Sequence, residues 1–390
     1  SGINRPVYAL TVYDNTLIAG GRFTSAGSEA ADRIAAWDGT SWSPLGSGMN
    51  DYVFALTVYD GRLIAGGWFT SAGGTPAGRI AAWNGSSWAP LGSGMDHYVM
   101  ALTVYDNHLI AGGWFTTAGG TAANRIGAWD GTSWESLGSG MDSPVSALTV
   151  YNNHLIAGGG FSTAGGVAAS CIAAWDGTSW APLGSGPNGT VCALTVYDDR
   201  LIAGGYFGTA AWDGTSWESL GAGIIGRVDA LTVYDDTLIA GGNYTIIGGV
   251  EQNPVAAWNG DAWVPLGSGM NSIVAALTVY DSCLIAGGSF FKTEDRVVAY
   301  VASWRKWYVC VCDCHADPEC DDAVNVLDVV LAVNTAFRGA DPIADPLYTC
   351  PYVTTDVTCD GVTNVLDVVH FVNAAFRGGD PAVEFCEPCP

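Results

Sequence analysis

The sequence predicts an all-β seven-bladed β-propeller followed by a small, α-helical, disulfide-rich, calcium-binding domain. Three observations carry this. The string Ala-Leu-Thr-Val-Tyr recurs seven times, four short strand-like segments fit inside each copy, and the composition changes abruptly at Cys310.

The recurring string begins at Ala9, Ala55, Ala101, Ala147, Ala193, Ala230 and Ala276, so the period is 46 residues except for one step of 37. A fixed period of this size marks stacked supersecondary units. In the first copy one strand is expected from Val7 to Tyr13, ended by Asp14-Asn15, and a second from Leu17 to Thr24. A Gly/Ala-rich loop leads to a third strand, Ile34 to Trp37. Asp38-Gly39 is a hairpin signal, and the fourth strand follows from Trp42 to Leu45. The strands are apolar on both faces, as sheets sandwiched between neighbours must be. Seven four-stranded units close radially and so protect their sheet edges.

Each unit carries a tryptophan pair, such as Trp83/Trp88 and Trp129/Trp134, with Trp304/Trp307 in the last. Recurrence in every unit points to packing between blades rather than to a ligand platform. The fifth unit passes from Phe207-Gly208-Thr209 straight into Ala210-Ala211-Trp212, so a notch is expected on one face. Ser1-Gly2-Ile3-Asn4 matches the end of a repeat, Ser47-Gly48-Met49-Asn50, and a processed or truncated N-terminus is expected.

The pattern G-G-x-F-T-x-A-G-G … I-A-A-W-D-G-T-S-W-x-P-L-G resembles the kelch-like propeller repeats of bacterial and fungal surface proteins, over residues 1–307. The Asp-Gly-Thr-Ser-Trp turn is one residue too short for the Asp-box of sialidases and reads as a hairpin only.

The residue before each repeated Ala is the candidate lining of the central channel: Tyr8, Phe54, Met100, Ser146, Cys192, Asp229 and Ala275. This set holds no carboxylate pair, triad or metal cluster, whereas glycosidase chemistry needs two carboxylates. His108 and His154 share a turn position and read as surface residues. The expectation is therefore a protein that is not an enzyme. Asn84, Asn188 and Asn243 stand in glycosylation sequons.

The formal net charge is −24. Nucleic acid and an anionic membrane surface both require a basic footprint and are excluded as partners. No apolar run reaches membrane-spanning length. Eight of the 11 cysteines fall between Cys310 and Cys389, a density that reads as a disulfide framework in a secreted, extracellular or cell-surface protein. Zinc at Cys310, Cys312, Cys314, His315, Cys386 and Cys389 is the less favoured alternative.

In the tail two segments match, Asp317 to Asp328 and Asp356 to Asp367, and each continues into an apolar stretch ending Ala-Phe-Arg-Gly. Oxygen ligands at loop positions 1, 3, 5, 9 and 12, with a backbone carbonyl at 7, satisfy a hard seven-coordinate calcium ion. This duplicated loop-helix resembles a divergent type I dockerin, a calcium-binding module of bacterial extracellular assemblies. Carried over, the first loop offers Asp317, Glu319, Asp321, the Ala323 carbonyl, Asn325 and Asp328; the second offers Asp356, Thr358, Asp360, the Val362 carbonyl, Asn364 and Asp367. Asp322 replaces the turning glycine that Gly361 supplies in the second loop, and Cys320 and Cys359 depart from the family pattern. Two calcium ions are implied.

These readings give a propeller (1–307) and a cysteine-rich dockerin-like domain (308–390). The expected function is a structural or adhesive extracellular protein that self-assembles head to tail into a filament or engages a cohesin-like receptor. The alternative is a dockerin-borne carbohydrate-binding or carbohydrate-active propeller with glycans as ligands. Exposed aromatics or clustered carboxylates at one propeller end would favour it.

Overall fold

A computed structural model describes residues 2–221, 224–247, 250–251, 254–266, 270–293, 296–297 and 300–305. The chain divides into Ser1–Trp304 and Arg305–Pro390. The first unit is a seven-bladed β-propeller. Its innermost strands are Val7–Tyr13, Val53–Tyr59, Val99–Tyr105, Val145–Tyr151, Val191–Tyr197, Ile225–Tyr234 and Val274–Tyr280. Each touches the next, and the last touches the first, so the seven form a closed ring.

Blade 3 shows the common plan: Val99–Tyr105, His108–Gly113, Ile126–Trp129 and Trp134–Ser136 pair antiparallel in that order. In blade 7 three strands of the main sheet fall within the described residues, Val274–Tyr280, Cys283–Gly288 and Val301–Arg305; Trp307 lies outside them. The second strand of blade 1 runs Thr16–Gly21, not to Thr24, and the fourth runs Trp42–Pro44. Beyond Gly21 the chain leaves the ladder: the Arg22 N–H donates to the Pro6 carbonyl, and Phe23 turns into the core. The expected loop after it holds a further two-stranded hairpin, Ser25–Ala26 with Glu29–Ala30.

The core lies between blades. One cluster joins Ile64 and Ile80 of blade 2 to Leu109, Phe115, Trp129 and Trp134 of blade 3. Glycine is required where sheets approach: a Cβ on Gly112 would sit 2.6 Å from Val145 Cγ1 of the next blade. The Trp134 Nε1–H donates to the Leu91 carbonyl of the preceding blade at 2.9 Å, and Trp88, Trp180, Trp217 and Trp263 repeat this bond. The tryptophan pairs are thus packing elements; Trp129 and Trp134 lie 5.4 Å apart and are buried.

Polar turns fix the register. Asp106 and Asn107 both take positive φ, the geometry of a tight hairpin turn. The Asp130 carboxylate accepts from the Thr132 and Ser133 N–H groups at 2.6 and 2.7 Å. These bonds hold its pKa well below the usual carboxylate range. Bridges Ile3↔Ala26, Met49↔Ala72, Met95↔Ala118 and Met141↔Ala164 tie linkers to hairpins, and Ile3 occupies the place that Met49 holds in the next repeat.

In blade 5 the strand Arg200–Gly205 turns through Tyr206 and Phe207 directly into Gly208–Trp212, with no hairpin between them. The buried Thr209 hydroxyl there accepts from the Trp263 indole at 3.0 Å.

Candidate functional site at one mouth of the propeller

Every inner strand carries a β-bulge near its start. In blade 1, Val7 pairs with Gly21 and Ala9 with Gly20, which leaves Tyr8 without a partner. The same shift brackets Phe54, Met100, Ser146, Cys192, Asp229 and Ala275. A bulge re-aims the extra side chain. These seven residues are half-buried between a fully buried Val and a buried Ala, as expected of a channel lining.

The residue after each Gly-Gly lies beside the residue before each inner-strand Val. The Trp68 N–H donates to the Tyr52 carbonyl at 2.8 Å, Trp114 to Tyr98 at 2.9 Å and Tyr206 to Thr190 at 3.4 Å. Bulge residue, pre-strand residues and post-glycine residue therefore share one end of the disc. At these positions the blades differ most. The post-glycine set reads Arg22, Trp68, Trp114, Gly160, Tyr206, Asn243 and Ser289 between constant Gly-Gly and mostly aromatic neighbours.

Over blades 1–3 most of the variable positions are aromatic, Arg22 and Met100 being exceptions, and the rings touch in series. Tyr8 lies 5.7 Å from Phe54 and 6.3 Å from Tyr52; Phe54 lies 6.4 Å from Tyr98. Trp68 packs between Tyr52 at 6.2 Å and Tyr98 at 4.4 Å, and His97 bridges Tyr98 at 3.9 Å to Trp114 at 6.2 Å. The Arg22 guanidinium stands 5.5 Å from the Tyr52 ring centre. Trp68 and Trp114 remain 42% and 50% exposed. Sequence patterning located the bulge set but missed the flanking rings. Their signal was the exchange of residue type at fixed repeat positions.

The sector from blades 5 and 6 is charged. Arg227 grips Asp229 with Nε at 2.6 Å and Nη2 at 3.0 Å, and its Nη1 donates to the Tyr206 hydroxyl at 3.2 Å. Burial raises the Asp229 pKa against the lowering effect of Arg227. Burial, with Asp229 adding, pushes the Cys192 thiol up to about 11. His108 and His154 open the second strands of blades 3 and 4, each with Nδ1 within 2.7 Å of a carbonyl in the preceding turn.

Among the described residues no group of three or more His, Cys, Asp or Glu side chains is arranged for a metal ion, and no helix is long and apolar enough to cross a membrane. Cys171, Cys192 and Cys283 are free thiols. The candidate calcium ligands Asp317, Glu319, Asp321, Ala323, Asn325, Asp328, Asp356, Thr358, Asp360, Val362, Asn364 and Asp367 lie outside the described residues, as do the tail cysteines.

A β-propeller domain family of unknown function, DUF5122, matches residues 60–81. No curated protein matches the chain in sequence. Among solved structures the chain is similar to the WD40 propeller domain of Doa1, at 16% identity and a TM-score of 0.53 over 76% of this chain and 95% of that one. It is also similar to the RRP9 WD40 repeats, at 16% identity and 0.52 over 74% and 89%. A third similar structure is the extracellular domain of the putative one component system BT4673 from B. thetaiotaomicron. That match has 12% identity and a TM-score of 0.54 over 74% of this chain and 39% of that one. At these identities the likeness establishes the fold alone.

Proposed function

We propose that this chain is a non-catalytic, secreted adhesive protein of the kelch-like surface type, whose propeller holds a ligand at its aromatic mouth and whose dockerin-like tail attaches it to a second body. The observation that carries this is the concentration of blade-to-blade differences, with exposed tryptophans, at one end of an otherwise repetitive disc. A scaffold that is constant inside and varied at one mouth is built for recognition, and exposed aromatic clusters mark binding sites. The absence of catalysis is supported by the channel chemistry: Asp229 is the one carboxylate among the seven bulge residues, and Arg227 neutralises it.

In the tail, two calcium ions would rest on the two acidic loops, with disulfides bracing them. Its partner is a cohesin-like receptor or a second copy of the chain, the latter giving a filament. Electron microscopy of the intact chain with calcium, beside a chain lacking residues 308–390, separates these.

The adhesive reading is tested with labelled intact chain on cell-surface and matrix material. The triple variant Trp68→Ala/Trp114→Ala/Tyr206→Ala is expected to lose retention; equal retention of variant and wild type would sink the reading.

A further inference from the structure

We propose that the aromatic arc of blades 1–3 is a subsite for a neutral polysaccharide of equatorially substituted pyranose rings; this rests on the reading of the mouth as a ligand-binding surface. The recognition elements are the water-facing indoles Trp68 and Trp114, whose orientation is set by Tyr98 and His97.

A pyranose with equatorial hydroxyls presents a flat face of axial C–H groups. Such a face packs on the electron-rich face of an indole, and its polarised hydrogens add weak C–H···π attraction. The hydroxyls then project outward around the ring. A cationic group stands at one edge of the arc to meet them: Arg22 interacts with both the Tyr8 hydroxyl and the Tyr52 ring.

Charge and extent narrow the ligand. A net charge of −24 repels polyanions. The Arg22 guanidinium already takes the cationic place over Tyr52, which disfavours a cationic ligand. The rings run unbroken from Tyr8 of blade 1 to Trp114 of blade 3, so an extended chain covers the arc where a single sugar covers one indole.

The test is affinity electrophoresis of the intact chain through gels holding hydroxyethylcellulose, with polygalacturonate at equal ionic strength as the charged comparison, and titration calorimetry with cellohexaose. Retardation is expected in the neutral glucan and not in the polyanion. Trp68→Ala and Trp114→Ala should each weaken cellohexaose binding by about tenfold, the loss of one ring contact. Phe291→Ala, exposed on blade 7, should leave it unchanged. Absence of binding to the neutral glucan, or equal binding by Trp68→Ala, overturns the proposal. If the triple variant still loses adhesion while neither glucan binds, the polysaccharide is wrong and the adhesive reading stands, with a protein ligand in its place.

Discussion

The Tyr280 hydroxyl donates to the backbone carbonyl of Asn15 at 3.3 Å, across 265 residues of sequence. The same bond joins neighbouring blades as Tyr13 to Gly61, Tyr59 to Asn107, Tyr105 to Asn153, Tyr151 to Asp199 and Tyr234 to Ser282. At the seam between blades 7 and 1 it closes the ring. Gly287 approaches Val7 there as Gly112 approaches Val145, with a Cβ position 2.6 Å from the Val Cγ1 in both.

Tyr280→Phe should therefore cost about 0.5–1.5 kcal/mol, the net worth of one such bond. Tyr105→Phe should cost the same overall. The two differ in where the loss appears. Hydrogen exchange in Val7–Tyr13 should quicken in Tyr280→Phe only, because the Tyr280 bond reaches blade 1 whereas the Tyr105 bond joins blades 3 and 4. Equal exchange in the two variants would refute a special role for the seam.

Gly112→Ala should destabilise by about 1–3 kcal/mol through overpacking against Val145. Val145→Ala removes the methyl that is struck, so the double variant should lose less than the sum of the singles. Chemical denaturation of the four proteins measures this; strict additivity would show that the backbone yields instead.

Cys192 should resist alkylation. Burial, with Asp229 adding, moves its pKa from 9.0 to about 11. The thiolate is the reactive form, so labelling should rise only as pH approaches that value. The sign for stability follows: the contribution is present below about 9 and is lost as pH rises toward 11. Peptide-resolved mass spectrometry after timed iodoacetamide pulses gives the profile. A midpoint near 9.0, the value without burial, would contradict this reading.

Calcium should stabilise the intact chain. At a hundredfold excess over its dissociation constant, one ion adds about 2.7 kcal/mol to whatever unit binds it. A chelator should lower the corresponding melting transition, and Asp360→Ala with Asp367→Ala should remove the second loop's share of the response. Identical melting curves with calcium and with chelator would reject the loops as calcium sites.

The blades were legible because their period and tryptophan pairs are local signals repeated seven times, with an Asp-Gly or Asn-Gly turn in the first six. The bulge residues Tyr8 to Ala275 were legible for the same reason, since a constant Val and Ala frame each one. The aromatic arc was not. Tyr52, Trp68 and Tyr98 are far apart in sequence and meet only because the Trp68 and Trp114 N–H groups bond back to the preceding strand. The hairpin Ser25–Ala26/Glu29–Ala30 was also hidden, because two-residue strands carry no periodicity. Thr209 was hidden too; its burial exists only because blade 5 lacks that hairpin.

The shortened blade 5 has one more consequence. A perfect heptamer of equal blades offers a partner seven equivalent rotational settings. The direct turn at Tyr206-Phe207 interrupts that equivalence at one point of the circumference. It is an index mark: a partner that read the rim at this turn would engage in a single azimuth, with the aromatic arc always facing the same way.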